Sequence, residues 1–391
     1  MSKVPKLRFP EFEGEWEEKE LENILEYERP DNYIVSDTNY SKVGIPVLTA
    51  NKSFILGYTE ENEGVFKDIP VIIFDDFTTD KKYVDFPFKV KSSAIKILKT
   101  KKDSLKFIYE AMSLIDFEAT EHKRYYISAY QKIPLHIPSI AEQQKIADCL
   151  SSLDELIEAR KEKIASLKAY KKGLLQQLFP QEVCNNYPPH PLIFSKLPKL
   201  RFAGFEGEWE EVKLGDVVKY ENGKAFENNI TEEGLFNVIT LRSIDISGRL
   251  KDEHLKTNYN DNSLKKGDIV MVLSDVAHGD FLGLCAIIPT DDFVLNQRMG
   301  KLYKFKNVVN TFLCFYINNK QKEFKLLGQG SSQLNLSKQD ILDVHFFLPS
   351  LDEQQKIADC LLSLDEKIAT ETEQVAQLQQ HKKGLLQQLL V

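Results

Sequence analysis

The sequence predicts an α+β protein. Two β-rich mixed units are carried on two long helices, packed as an antiparallel coiled coil with internal pseudo-two-fold symmetry. Three observations predict it. The chain is written twice, each copy ends in a sustained heptad pattern, and the segments inside each copy hold short apolar runs bounded by turn residues.

The repeat has two blocks. Pro5-Lys6-Leu7-Arg8-Phe9 returns as Pro198-Lys199-Leu200-Arg201-Phe202, and 13 of the 17 positions from Pro5 to Leu21 match at an offset of 193. The second block runs from Pro138 to Leu178 and returns at an offset of 211, with 27 of 41 positions identical. Near-identical ends therefore surround dissimilar middles. The order is a repeated frame segment over 1–21, a variable unit over 22–137 and a helix over 138–180. A Pro-rich linker follows over 181–197, then the frame again over 198–214, a second variable unit over 215–348 and a closing helix over 349–391. Two copies are too few for a solenoid and point to a pseudo-symmetric molecule.

The closing blocks read as coiled-coil helices. The series Ile146, Leu150, Leu153, Ile157, Arg160, Ile164, Leu167, Lys171, Leu174, Leu178 steps by four and three, and eight of its ten sites are aliphatic. The second copy, from Ile357 to Leu389, also scores eight of ten, with Glu371 and Lys382 as its exceptions. A Pro-Ser pair before each helix supplies an N-cap. At 1.5 Å per residue each helix is about 50 Å long, and its apolar stripe needs a partner, most simply the other copy. Gly173 and Gly384 are expected to loosen the last turns. Arg160 and Glu371 share one heptad position, so an antiparallel pair brings them together near mid-helix and fixes the register.

Inside the variable units, Ile45–Leu48, Val71–Phe74 and Ala94–Leu98 read as strands, as do Asn237–Leu241, Asp268–Leu273 and Leu284–Ile288. Residues 104–115 and 310–327 read as amphipathic helices.

Composition excludes several classes. No apolar run approaches the ~18 residues of a membrane span, and the N-terminus lacks the apolar core of a signal peptide. Five scattered cysteines without a C-x-x-C pair fit reduced thiols in a cytoplasm. There is no phosphate-cradling G-x-x-x-x-G-K-[ST] loop, no G-x-G-x-x-G after a strand and no zinc-type histidine pairing, so no metal is expected. Asn186-Tyr187-Pro188-Pro189 has the wrong order for the motif of base-amino methyltransferases, and Asp75-Asp76 with Asp80-Lys81-Lys82 lacks the second strand carboxylate of a metal nuclease.

Net charge is −8, which at face value argues against a nucleic-acid partner. Its distribution reverses that reading. Residues 81–132 carry 12 basic and 6 acidic groups, and residues 298–338 carry 8 basic groups against Glu323 alone. A bound polyanion responds to the local patch more than to the distant total. Gly328-Gln329-Gly330-Ser331-Ser332-Gln333 is either a plain surface loop or a segment that lets backbone approach phosphate and base edges.

The arrangement closely resembles the specificity subunits of Type I restriction–modification systems. The residues that carry the resemblance are Pro-Lys-Leu-Arg-Phe-x-x-Phe-x-Gly-x-Trp before each unit and Pro-Ser-x-x-Glu-Gln-Gln-Lys-Ile-Ala after it. Lys-Lys-Gly-Leu-Leu-Gln-Gln-Leu ends each helix, and Leu295-Asn296-Gln297-Arg298 lies within the second unit. The resemblance implies that 22–137 and 215–348 are target-recognition domains, each reading one half of a split double-stranded DNA site. It implies that the helices set the spacer and dock two modification subunits, joined by restriction subunits. This chain would hold no catalytic residue and bind no cofactor. S-adenosylmethionine, ATP and Mg would serve its partners, in adenine-N6 methylation and ATP-dependent cleavage, in the cytoplasm of a bacterium or archaeon.

Charge, loop position and the motifs of the second unit select the candidate DNA contacts. They are Lys81, Lys82, Lys89, Lys91, Lys123, Arg124, Tyr125 and Tyr126 in the first unit. In the second they are Arg242, Ser274, His278, Arg298, Lys325, Gln329, Ser331, Ser332, Gln333 and Asn335. The rival classes are a protein-binding scaffold that reads no DNA and a self-contained Mg-dependent nuclease.

Overall fold

The structure is a computed structural model that describes residues 4–50, 53–121, 123–183, 193–194, 196–225, 229–261, 263–276, 279–330 and 333–390. Most of the Pro-rich linker therefore lies outside the described residues. No helix among those described is long and apolar enough to cross a membrane. The chain forms two compact units. Unit 1 comprises Met1–Glu162 with Glu371–Val391, and unit 2 comprises Lys163–Thr370.

In unit 1 the order is β1 (Glu17–Glu20), α1 (Leu21–Ile24), β2 (Leu25–Glu28), β3 (Ile45–Leu48), β4 (Ile55–Thr59), β5 (Val71–Asp75), β6 (Lys81–Val84), β7 (Lys89–Val90), β8 (Ile95–Thr100), α2 (Leu105–Ser113) and β9 (Pro134–Ile137). The long helix α3 (Ile140–Leu178) follows. After the short pair β10 (Glu182–Val183) and β11 (Ile193–Phe194) come β12 (Glu210–Lys213), α4 (Leu214–Val217), β13 (Lys219–Asn222), β14 (Ile230–Thr231), β15 (Phe236–Ile239), β16 (Leu255–Thr257), β17 (Ile269–Val272), β18 (Ser274–Val276), β19 (Cys285–Ile287), β20 (Phe293–Leu295) and β21 (Met299–Tyr303). Unit 2 continues with α5 (Asn310–Asn319), α6 (Gln321–Leu327), β22 (Gln333–Asn335), α7 (Lys338–Leu342), β23 (His345–Leu348) and α8 (Leu351–Leu389).

The middles that resist alignment share one topology. The main sheet of unit 1 has the order β2-β8-β5-β6 and that of unit 2 the order β13-β21-β17-β19: first, last, second, third in each. In the smaller sheets β3 runs parallel to β7 and antiparallel to β4, and β15 runs parallel to β20 and antiparallel to β16, with β14 added at the edge. The central strands are buried on both faces, as their unbroken aliphatic runs require. Ile72 and Phe74 face a core shared with α2 and the long helices, while Val71 and Ile73 face the core of the smaller sheet. Ile269 and Met271 against Val270 and Val272 divide in the same way. Each such side chain contributes about 1.5–3 kcal/mol.

The duplicated motifs act as clamps. Ser139 and Ser350 cap α3 and α8, their hydroxyls accepting from Glu142 N–H at 3.3 Å and Glu353 N–H at 3.4 Å. Arg8 grips Glu142 through two hydrogen bonds of 2.8 and 2.7 Å, and Arg201 grips Glu353 at the same distances. The buried amide of Gln143 accepts from Ser104 N–H at 2.9 Å, at the start of α2. Gln354 accepts from Val309 N–H at 2.8 Å, at the start of α5. Leu7 N–H donates to Gln388 O at 2.9 Å and Leu200 N–H to Gln177 O at 3.0 Å, so the Lys-Leu-Arg-Phe segment occupies carbonyls that a helix end leaves open.

Each unit also contains an antiparallel helix pair. In unit 1, Arg160 meets Glu371 and Asp154 meets Lys382, while Ile146 and Leu150 share a core with Leu385 and Leu389. In unit 2, Lys171 meets Asp365, and Leu178 packs with Ile357 and Leu361. Residue numbers rise along one helix as they fall along the other.

The helices run through Gly173 and Gly384 to Leu178 and Leu389. The helix expected over 310–327 is two helices, α5 and α6. They break at Lys320, whose ammonium turns inward to His345 O at 2.9 Å. The frame's Glu17–Glu20 and Glu210–Lys213 are strands, paired with β9 and β23, although their polar sequences carry no strand signal. The described cysteines Cys149, Cys285, Cys314 and Cys360 are free thiols; Cys184 lies outside the described residues.

Candidate nucleic-acid interface

In unit 2 three segments meet at Leu273. Its N–H donates to Arg298 O at 3.1 Å, and its carbonyl accepts from Leu336 N–H at 2.9 Å. From this junction β18 pairs with β22, setting Ser274 opposite Asn335 and Val276 opposite Gln333. Gln329 and Asn335 exchange two backbone hydrogen bonds of 3.0 Å, so the Gly-rich loop is closed on itself. Gly330 is required there: its φ is +128°, and an added Cβ would lie 2.1 Å from Gln333 O. Arg298, Gln329 and Asn335 are exposed. Gln333 donates to the hydroxyl of Ser274, which is buried, and to Asn335 Oδ1 at 3.0 Å. Lys325 is held by Asp280 at 2.8 Å. Arg242 is exposed on a separate turn, Leu241–Ser243. His278, Ser331 and Ser332 lie outside the described residues.

Unit 1 builds the same junction from unlike residues. Asp76 N–H donates to Ala94 O at 2.8 Å, and Asp76 O accepts from Tyr125 N–H at 2.8 Å. The turn after β5 is shaped by Asp75, whose carboxylate accepts from Phe77 N–H at 2.9 Å and Thr78 N–H at 3.0 Å. Asp76 is paired with Lys96 at 3.4 Å and accepts from Tyr126 N–H at 2.8 Å. Both carboxylates thus hold the turn. Arg124 is exposed, 5.9 Å from the Phe77 ring centroid. Lys123 is exposed and paired with Glu121 at 2.6 Å, and Lys91 is exposed beyond β7, its N–H donating to Leu48 O at 3.1 Å.

Several candidates of unit 1 are turned away from the surface. Lys89 is buried, its ammonium bonded to Glu63 O at 2.7 Å and Glu61 at 2.8 Å. Tyr125 and Tyr126 are buried; Tyr126 packs edge-on against Tyr27 and Phe74, because a small domain fills its core with such aromatics. Lys81 points inward to Tyr130 Oη at 3.0 Å, and burial pushes its ammonium down to about 8. Lys82, the next residue of β6, is half-buried. The basic run reads as one surface in sequence, but strand alternation sends part of it inward.

No pattern of charge or loop position singles out Phe77, Thr78, Ala94 or Asp275. Asp275 closes its own turn by accepting from Val276 N–H at 2.8 Å and Phe281 N–H at 2.9 Å. The available signal is an Asp-bearing polar pair at the end of a buried strand or just past it, Asp75-Asp76 closing β5 and Ser274-Asp275 one residue beyond β17.

Comparison with known proteins agrees with the duplicated frame. The family described as the Type I restriction modification DNA specificity domain matches residues 13–169 and 206–380. The Type I restriction enzyme EcoR124I/EcoR124II specificity subunit of Escherichia coli is 29% identical over 368 residues, 88% of this chain and 85% of that one. The MjaVIII specificity subunit of Methanocaldococcus jannaschii is 27% identical over 275 residues, 67% of this chain and 62% of that one. In fold, the crystal structure of the Type I restriction–modification S subunit from M. genitalium aligns with a TM-score of 0.65 at 17% identity, covering 99% of both chains. The two family matches take in both junctions and part of each repeated frame, and the chain belongs to the Type I restriction–modification DNA specificity family, with two copies of its domain.

Proposed function

We propose that the chain is the DNA-reading subunit of a Type I restriction–modification complex, each unit reading one half of a bipartite double-stranded site. The observation that carries this reading is the shared junction. The same backbone connections, Ala94–Asp76–Tyr125 and Arg298–Leu273–Leu336, display unlike side chains in the two units. A fixed frame with interchangeable surface residues suits two readers of different sequence. Arg124, Lys91 and Lys123 in unit 1, and Arg298, Gln329, Gln333 and Asn335 in unit 2, are the side chains that would reach the duplex. Amides suit adenine and arginine suits guanine, while lysines fix the register on phosphate.

The chemistry in this reading belongs to partners. Two modification subunits would dock on the helices and carry S-adenosylmethionine for adenine-N6 methylation. Restriction subunits would add Mg- and ATP-dependent cleavage, in a bacterial or archaeal cytoplasm. The test is methylome sequencing of a host that expresses this chain with its modification subunits. A two-part motif with a fixed spacer is expected. A continuous motif, or methylation without sequence preference, would overturn the reading.

A further inference from the structure

Asp154 of α3 and Asp365 of α8 occupy one frame position, 211 residues apart. Both divide their oxygens in the same way. Asp154 takes Lys382 on one oxygen at 2.7 Å and Lys106 on the other at 2.8 Å. Asp365 takes Lys171 on one oxygen at 2.6 Å and Arg249 on the other. Lys171 and Lys382 are themselves one frame position, so half of each arrangement is frame against frame.

The other half comes from the variable unit, and there the source differs. Lys106 lies on α2. The Gln143–Ser104 and Gln354–Val309 bonds, with the Trp16–Phe107 and Trp209–Phe312 ring contacts, align α2 with α5 at an offset of 205. At the place of Lys106, α5 carries Thr311, which bears no charge. Unit 2 supplies its cation instead from Arg249, beyond β15. One turn further along, buried Glu110 accepts from Lys106 at 2.9 Å and Lys382 at 3.0 Å. Its counterpart is Phe315, whose ring centroid lies 4.8 Å from the Lys171 ammonium. The surroundings have changed from acid to aromatic, yet the frame aspartate still receives one cation from its own unit.

We infer that Asp154 and Asp365 are positioning residues that key each reader onto its helix pair, and that any reader mounted on this frame must present a cation to them. The inference rests on the two-reader function proposed above. These partly buried, charge-assisted bonds fix the orientation of a reader more than they stabilise its fold. Hydrogen bonds from Lys106 and Lys382 outweigh the upward push of burial and hold the Asp154 carboxyl below its ordinary value. A loosened key lets a reader pivot, and the complex then accepts wrong spacers.

The test uses the full chain assembled with its modification subunits, after the methylated motif is defined. Methylation is measured on duplexes with the cognate spacer and with spacers one base pair longer or shorter. Arg249→Gln is expected to raise the ratio of off-spacer to cognate methylation several-fold. Thr311→Lys in the same chain, which rebuilds the unit 1 arrangement, is expected to restore it. A lowered thermal midpoint with an unchanged ratio would overturn the inference. If Arg249→Gln does not assemble, Asp365→Asn is read in the same way, and an unchanged ratio overturns it equally. Absence of any bipartite motif with the unaltered chain would instead overturn the proposed function.

Discussion

Arg160 donates to Glu371 at 2.7 Å, and the two residues hold the same place in the duplicated helix, 211 positions apart. Arg160 also donates to Gln374, while its Nε finds no acceptor among the described residues. The side chains are 30% and 12% exposed, so the pair is neither a free surface bridge nor fully desolvated. Such a pair inside an aliphatic seam suits a register device better than a source of stability. Arg160→Leu and Glu371→Leu, measured singly and together by thermal denaturation, should couple by about 1 kcal/mol, with the double variant no less stable than either single one. Strictly additive effects would remove the pair from any role in register.

The frame clamps should cost the same in both units. Gln143→Ala leaves Ser104 N–H, Asp103 and Pro138 O without their amide partner, and Gln354→Ala does the same to Val309 N–H, Asn307 O and Pro349 O. Each should lose about 1–3 kcal/mol in chemical denaturation. Unequal losses, one large and one negligible, would show that the duplicated motif no longer does the same work in both places.

Lys81 gives a pH dependence of definite sign. Its ammonium titrates near 8 in the folded chain, below the ordinary lysine value, so between about pH 8 and 10.5 the unfolded chain binds the extra proton. Stability from this group therefore rises with pH across that window and is constant below it. The stability difference between the unaltered chain and Lys81→Met should move in favour of the unaltered chain from pH 7.5 to pH 10. An unchanged difference would place the amine in water, and movement the other way would place it on an acidic partner.

Arg298 sits at the junction of unit 2 with its side chain exposed. Arg298→Ala should weaken duplex binding by the assembled complex. A uniform loss, with the salt slope reduced by about one, assigns it to phosphate. A loss of about 1–3 kcal/mol confined to one base position assigns it to guanine. Binding unchanged at every salt concentration would remove it from the interface.

The helices, the duplicated frame and most central strands were legible because each is written in a local period. Eight of ten seam sites in each helix are aliphatic, and Val71–Phe74 and Ile269–Val272 are unbroken apolar runs. Glu17–Glu20 was not legible, since its strand exists only through pairing with Pro134–Ile137, more than a hundred residues away. The common topology of the variable units was hidden for the same reason: it resides in strand order. The candidate interface was half legible. Charge located the basic segments, but only the fold decides that Arg124 faces solvent while Lys81, Lys89, Tyr125 and Tyr126 turn inward. Arg298 and Ala94 occupy equivalent backbone places, a correspondence that no side-chain pattern announces.

The most direct measurement replaces residues 22–137 with the corresponding unit of a relative that reads a different site. The chimaera is expressed with the modification subunits, and its methylome is sequenced. Two independent readers on one frame predict that one half of the methylated motif changes while the other half and the spacer length remain. A simultaneous change in both halves would contradict the account.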